Sequence, residues 1–262
     1  MKLFLSDVDG TLLSYDHHVR KEDIEAIKVW QAKGDLFGLV SGRGYAFCAD
    51  LLREHGIKSD VLITNNGACA YIKDECVFSD PIEKQSVFTV FEDLKTMKEA
   101  LIPFITMDDG YHYARKEELA LLKQKQAHLK NFGEGDVLEE VKAGKKVYKI
   151  SLYVFDPKMT DRLLALFQAK WPALNVSKTS IDYIEITNQG VDKRKAFDAL
   201  EQNMAIDRER VAFIGDGSND LPLFDALPHT YDMPHTPGEV KKHVNKIVTS
   251  IEEAIKIEEG RI

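Results

Sequence analysis

Asp7 and Asp9 stand two apart in Asp7-Val8-Asp9-Gly10-Thr11, directly after the apolar run Leu3-Phe4-Leu5. Asp216 and Asp220 stand in Gly215-Asp216-Gly217-Ser218-Asn219-Asp220, directly after Val211–Ile214. Brought to one crevice, these carboxylates would repel one another by an energy on the order of several kcal/mol, so the cluster implies a divalent cation, a shared proton or a cationic neighbour. Ligands that are all oxygen point to magnesium. Taken singly, each aspartate reads equally well as a turn former or helix cap. That reading weakens as the pattern repeats at further strand ends.

Other chemistries are excluded by spacing. A calcium loop needs Gly at its sixth position and Glu at its twelfth; counting from Asp7 gives Leu12 and His18, and from Asp216 gives Leu221 and Leu227. No G-x-G-x-x-G follows the first strand, and no G-x-x-x-x-G-K-[ST] is present. The short glycine loops remain suited to holding a single phosphate through backbone N–H groups. His229, His235 and His243 match no zinc spacing and read as surface residues, and Cys48, Cys69 and Cys76 form no C-x-x-C pair and read as small buried apolar residues.

The elements that must position these groups follow from periodicity. Leu3–Leu5, Leu36–Val40 and Val61–Thr64 read as buried strands, each ending in a polar, glycine-containing loop: Asp7–Thr11, Ser41-Gly42-Arg43-Gly44 and Asn65-Asn66-Gly67. Helical spacing over Lys21–Lys33 and Tyr45–Glu54 alternates with them. The alternation predicts a doubly wound parallel sheet, a Rossmann-like α/β core that binds ligands beyond the carboxyl ends of its strands. Ala68–Ile72 and Cys76–Ser79 read as a hairpin. Helix-like segments near Glu83–Lys98 and Lys158–Lys170 and strand-like runs including Val147–Phe155 and Asp182–Ile186 then read as a separate α+β unit, with Asn131–Asp136 as a loop. Alternation resumes with a helix from Asp192 and the strand Val211–Ile214. The expected organisation is a core of residues 1–81 and 189–262 interrupted by an inserted α+β domain, 82–188.

With 262 residues, 35 Lys+Arg against 43 Asp+Glu, a net charge of −8 and a pI near 5.5, the composition argues against a nucleic-acid coat or a polybasic membrane binder. The apolar start is too short for a signal peptide and no long apolar run spans a membrane, so a cytoplasmic location is expected. The composition, 44% hydrophobic and 30% charged, is that of a globular protein.

In order, Asp7-Val8-Asp9-Gly10-Thr11, Leu39-Val40-Ser41-Gly42-Arg43, Lys193 and Gly215-Asp216-Gly217-Ser218-Asn219-Asp220 resemble the signature motifs of the haloacid dehalogenase-like phosphatases. Thr64-Asn65-Asn66-Gly67-Ala68 and Glu185-Ile186 ahead of Gly190-Val191-Asp192-Lys193 further resemble the Cof-like branch, whose α+β cap of type C2B lies between the second and third motifs. The resemblance implies Asp7 as nucleophile, Asp9 as general acid and base, and Lys193 as the fixed cation. It implies Mg2+ held by the Asp7 carboxylate, the Asp9 backbone carbonyl and Asp216, with Asp220 tethering Lys193 or the metal's waters. Thr11 and Ser41 would bond phosphate oxygens, Gly10 and Gly42 would give close approach, and Asn219 would support its loop. Lys193 reads alternatively as a solvated helix residue, Asn66 as a left-handed turn residue, and Arg43 as either a phosphate or substrate contact or a surface group.

The implied activity is a magnesium-dependent phosphatase acting on a small phosphorylated metabolite, a sugar phosphate first and a phosphorylated cofactor such as FMN or pyridoxal phosphate next. A phosphosugar mutase and a non-catalytic sensor of a phosphorylated ligand are the rivals. Two positions depart from the branch: Arg194 stands where a small residue follows the lysine, and Asp232-Met233-Pro234-His235-Thr236 replaces a run of small residues around Gly-Asn-Ala. Asp109, His112 and Arg115 are conceivable specificity contacts and equally conceivable hairpin residues.

Overall fold

A computed structural model describes residues 1–97, 100–107, 110–113, 120, 132–133 and 136–260. They form two compact units, Met1–Ser79 with Asp192–Ile262, and Asp80–Val191. The expected boundaries were 81/82 and 188/189.

In the first unit, strands β1 (Leu3–Ser6), β2 (Leu36–Val40), β3 (Val61–Thr64), β4 (Cys69–Ile72) and β5 (Glu75–Ser79) precede the insertion. In the inserted unit come β6 (Leu101–Met107), β7 (Gly110–Tyr113), β8 (Phe132–Gly133), β9 (Val147–Val154), β10 (Leu174–Ser180) and β11 (Tyr183–Asn188). The chain then returns to the first unit with β12 (Val211–Gly215), β13 (His229–Asp232) and β14 (Lys246–Ile247).

The first unit's sheet has the order β14-β13-β12-β1-β2-β3-β4-β5. It is parallel from β14 to β3, and the hairpin β4–β5 adds antiparallel strands at one edge. Strand β1 shows why the sheet is covered on both faces. Phe4 packs with Trp30, Cys48, Leu52 and Ile255 from the helices Lys21–Ala32, Tyr45–Glu54 and Ile251–Glu258. Its neighbours Leu3 and Leu5 point the other way, into a cluster with Ala196, Phe197 and Leu200 of the helix Lys193–Met204. Alternation with period two in a strand apolar throughout demands helices on each face, and each fully buried large apolar side chain contributes about 1.5–3 kcal/mol. Trp30 meets Phe4 edge to face at 6.0 Å between ring centroids, and its indole N–H donates to the Leu36 carbonyl at 2.8 Å.

The inserted unit is an antiparallel sheet of order β10-β11-β9-β6-β7-β8, with the β7–β8 pair parallel. Helices Lys84–Leu94, Val137–Lys142 and Thr160–Lys170 bury one face around Ile105, Ile150 and Ile184. On the other face Thr106 stands opposite Lys149, and Phe104 and Glu185 stand opposite Ser151. Buried Lys149 and half-buried Glu185 are joined there by an ion pair of 2.5 Å. The segment expected as a loop, 131–136, instead supplies the short strand β8 beside Tyr111 and His112, and Asp136, whose carboxylate caps the next helix through Leu138 and Glu139 N–H; residues 131, 134 and 135 lie outside the described residues. Asp109 and Arg115 lie outside them too, while His112 is buried, with Nδ1 3.2 Å from Glu140. Of the cysteines, Cys48 and Cys69 are buried as expected and Cys76 is exposed; none of the three is in a disulfide. No helix among the described residues is long and apolar enough to cross a membrane.

Candidate active site

Strands β1 and β12 are neighbours, so the loops at their carboxyl ends are neighbours too. The Asp7 N–H continues the ladder by donating to the Ile214 carbonyl at 2.8 Å. Asp7 and Asp216 thereby follow adjacent strand ends. The helix Lys193–Met204 starts on Asp192, whose Oδ1 accepts from the Lys195 N–H at 2.7 Å and satisfies one free donor of the first turn. Gly67 permits that start: at φ +98° it faces the Asp192 carbonyl, which a Cβ would approach to 1.9 Å. Lys193, the first helical residue, is buried rather than solvated.

Its Nζ donates to Asp7 Oδ1 at 2.7 Å and to Asp220 Oδ1 at 2.5 Å. Burial alone would drive the proton off this ammonium, but Asp220 and Asp7 overcome that and hold its pKa above the ordinary lysine value. Asp220 Oδ2 accepts from the Asp216 and Gly217 N–H groups at 3.1 and 2.9 Å. With both oxygens committed, Asp220 serves the lysine and the loop. Asp7, Asp216 and Asp220 each offer one oxygen within 4.8 Å of the others. A single ammonium therefore faces three carboxylates. Burial pushes the Asp7 carboxyl well up, against the pull of Lys193 and with Asp220 and Asp216 adding to the rise. Asp216 is raised by burial as well, opposed by its bonds to His235 and Tyr15.

Asp9 does not join this cluster through its side chain. Its carboxylate is gripped by the Arg43 fork, Nε to Oδ2 at 2.9 Å and Nη2 to Oδ1 at 2.7 Å, and the guanidinium lies 4.8 Å from the Phe47 ring centroid. The loop after β2 is fixed by the Arg43 N–H donating to Ser41 Oγ at 3.1 Å, the Asn66 N–H to the Ser41 carbonyl at 3.0 Å and the Asn65 N–H to the Arg43 carbonyl at 2.9 Å. Asn65 and Asn66 both have left-handed backbones, φ +55° and +58°. Asn66 is thus the turn residue of one sequence reading, and its Oδ1 also accepts from Asn219 Nδ2 at 3.3 Å; Gly42 lies against the same amide. Thr11 is buried, and its Oγ1 has no hydrogen-bond partner among the described residues. An orphaned buried hydroxyl costs roughly 1–3 kcal/mol unless a ligand satisfies it.

Two residues escaped the sequence reading. Tyr15 Oη donates to Asp216 Oδ2 at 3.0 Å, and His235 Nε2 lies 3.1 Å from the same oxygen. His235 is therefore no ordinary surface histidine, whereas His229 and His243 pair with Glu258 and Asp225. The one available signal was that His235 falls in the segment departing from the branch pattern.

A lysine shared between aspartates at the carboxyl ends of a parallel sheet, with a long α+β insertion, defines a class of α/β hydrolase. The chain belongs to the haloacid dehalogenase-like hydrolase family, whose model matches residues 4–255. A Mycoplasma pneumoniae protein provisionally named a phosphatase is 21% identical over 256 residues, covering 92% of this chain and 89% of that protein. A crystal structure of a Thermotoga maritima protein has the same fold at a TM-score of 0.85 and 21% identity, over 99% of this chain and 97% of that one. A sugar phosphatase described as subclass IIB of the superfamily superposes at a TM-score of 0.79 and 20% identity over the whole of both chains.

Proposed function

We propose that the protein is a magnesium-dependent, cytoplasmic phosphatase that hydrolyses a small phosphorylated metabolite through a phosphoryl group carried on Asp7, with the inserted unit as a cap that selects the substrate. The observation that carries this reading is the Lys193 ammonium held between Asp7 and Asp220, with Asp216 close by. The resident carboxylates exceed the resident cation, and an all-oxygen donor set of this kind fits magnesium. Asp7 and Asp216, with the Asp9 carbonyl, would hold the ion, which supplies charge to offset repulsion between carboxylate and phosphate.

In the first step an Asp7 oxygen attacks phosphorus, the bond from phosphorus to the ester oxygen breaks, and Asp9 gives its proton to the departing oxygen. In the second, Asp9 takes a proton from water as that water attacks phosphorus, the bond to Asp7 breaks, and inorganic phosphate leaves. Lys193 steadies the anionic oxygens in both steps. Thr11 and Ser41 hydroxyls, with the Gly10 and Gly42 backbone, receive the phosphate. An arriving phosphate would compete with Asp9 for the Arg43 guanidinium, releasing the Asp9 side chain from the fork. A sugar phosphate is the first substrate class, in keeping with the similar sugar phosphatase. Three cysteines outside any disulfide suit a reducing compartment.

Phosphate release from sugar phosphates, nucleotides and phosphorylated cofactors, with and without magnesium, tests the reading beside Asp7→Asn. Turnover that needs magnesium and vanishes in the variant is expected. Tight binding of one phosphorylated ligand with no release would replace the reading with a sensor.

A further inference from the structure

The oxygen Asp216 Oδ2 is surrounded. The Tyr15 hydroxyl and His235 Nε2 reach it at 3.0 and 3.1 Å, and the two rings meet edge to face at 5.3 Å between centroids. From below it lies over Gly10, where at φ +84° a Cβ would come within 2.1 Å of Oδ2 and 2.9 Å of the tyrosine hydroxyl. A carboxylate oxygen has two lone pairs, and the Tyr15 hydroxyl and, in its Nε2–H form, the His235 ring use both. Oδ1 of Asp216 is then the oxygen left to face a cation. His235 occupies one of the positions where this chain departs from the branch pattern.

Resting on the phosphatase reading, we infer that Tyr15 and His235 are positioning residues that pin Asp216 by its Oδ2 and present Oδ1 alone to the cation, setting how tightly the site binds magnesium. Such partners of a ligating carboxylate hold it in the bound orientation before the ion arrives, which lowers the ordering cost of binding. Both act through Asp216 and neither touches the reacting atoms.

The test measures binding directly, by titrating Mg2+ and Mn2+ into the metal-free protein by calorimetry, with the spin-echo modulation of bound Mn2+ as a second readout. His235→Ala is expected to weaken the dissociation constant about 10-fold and Tyr15→Phe about 3- to 10-fold. His235→Gln, which keeps an N–H donor, should recover most of the loss, and metal-free melting temperatures should stay close to wild type. A purely structural role would move the melting temperature and would not be rescued by glutamine. Asp216→Asn separates the two failures. If wild type binds no cation and matches Asp216→Asn, the magnesium reading fails. If wild type binds, Asp216→Asn does not, and Tyr15→Phe and His235→Ala bind like wild type, positioning is overturned while the phosphatase stands. Modulation from a directly coordinated nitrogen in Mn2+-loaded wild type would also overturn it, by making His235 a ligand.

Discussion

Two buried lysines are held by carboxylates at nearly the same distances in different settings. Lys149 in the inserted unit meets Glu185 at 2.5 Å. Lys193 in the first unit meets Asp7 at 2.7 Å and Asp220 at 2.5 Å, with Asp216 close enough to share a ligand. The first contact ties two strands of one sheet. In the second, three aspartate oxygens cluster beside the ammonium, an arrangement that a shared proton or a further cation would offset. What marks the Lys193 site is the cluster of three aspartate oxygens beside the ammonium.

The comparison breaks most visibly at Asp7, the proposed nucleophile. Asp7→Asn removes one charge from the unbalanced centre and should reduce phosphate release by at least about 10^3-fold, measured by released phosphate under saturating magnesium; near-normal turnover would assign the chemistry elsewhere. Lys193→Met should cost about 3–5 kcal/mol of stability, because buried carboxylates are left without their cation, and the denaturant midpoint reads it. Lys149→Met should cost less, because Glu185 is only half-buried. Lys193→Met with Asp220→Asn should recover little of the loss, because Asp7 and Asp216 remain; full recovery there would erase the distinction.

The smallest expected effect concerns Asp232, buried on β13 with neither carboxylate oxygen hydrogen-bonded among the described residues. Burial raises its pKa, opposed by neighbouring Thr236, Lys241 and His235, with Asp216 adding to the rise. A raised carboxyl means that the folded chain holds a proton the unfolded chain has lost. Its stability contribution is complete below the ordinary value of 3.8 and is lost as pH rises through the raised value. Asp232→Asn should therefore flatten the fall in melting temperature over that window and raise it by a few degrees at neutral pH.

Features written in short stretches of sequence were legible. The strands β1, β2 and β3, the helix begun by Asp192 and the loops carrying Asp7, Ser41 and Asp216 depend on turn chemistry and periodicity within a few residues. Tyr15 was not legible because its partner lies 201 positions away and a largely exposed aromatic carries no periodic signal. The Asp9–Arg43 fork joins loops from different strands, 34 positions apart. Lys149 and Glu185 interrupt the apolar alternation of their strands, so the polar face of the inserted sheet reads as noise until β9 and β11 are paired. Strand β8 is too short for any pattern and exists through its pairing with β7.

The insertion also sets the order in which the chain can be assembled. β1 pairs with β12 from Leu3 with Val211 onward, so during synthesis the first strand must wait for its neighbour until the intervening unit has emerged. Asn188 Nδ2 donates to Asp80 Oδ1 at 2.6 Å across 108 residues and fastens the two ends of that unit together. Once folded, the unit replaces a loop of about a hundred residues with a connector a few residues long, which spares the central sheet about 3 kcal/mol of closure entropy. Early folding of the inserted unit thus shortens the effective distance over which β1 and β12 must find each other, and a chain whose inserted unit folds late should assemble its sheet slowly.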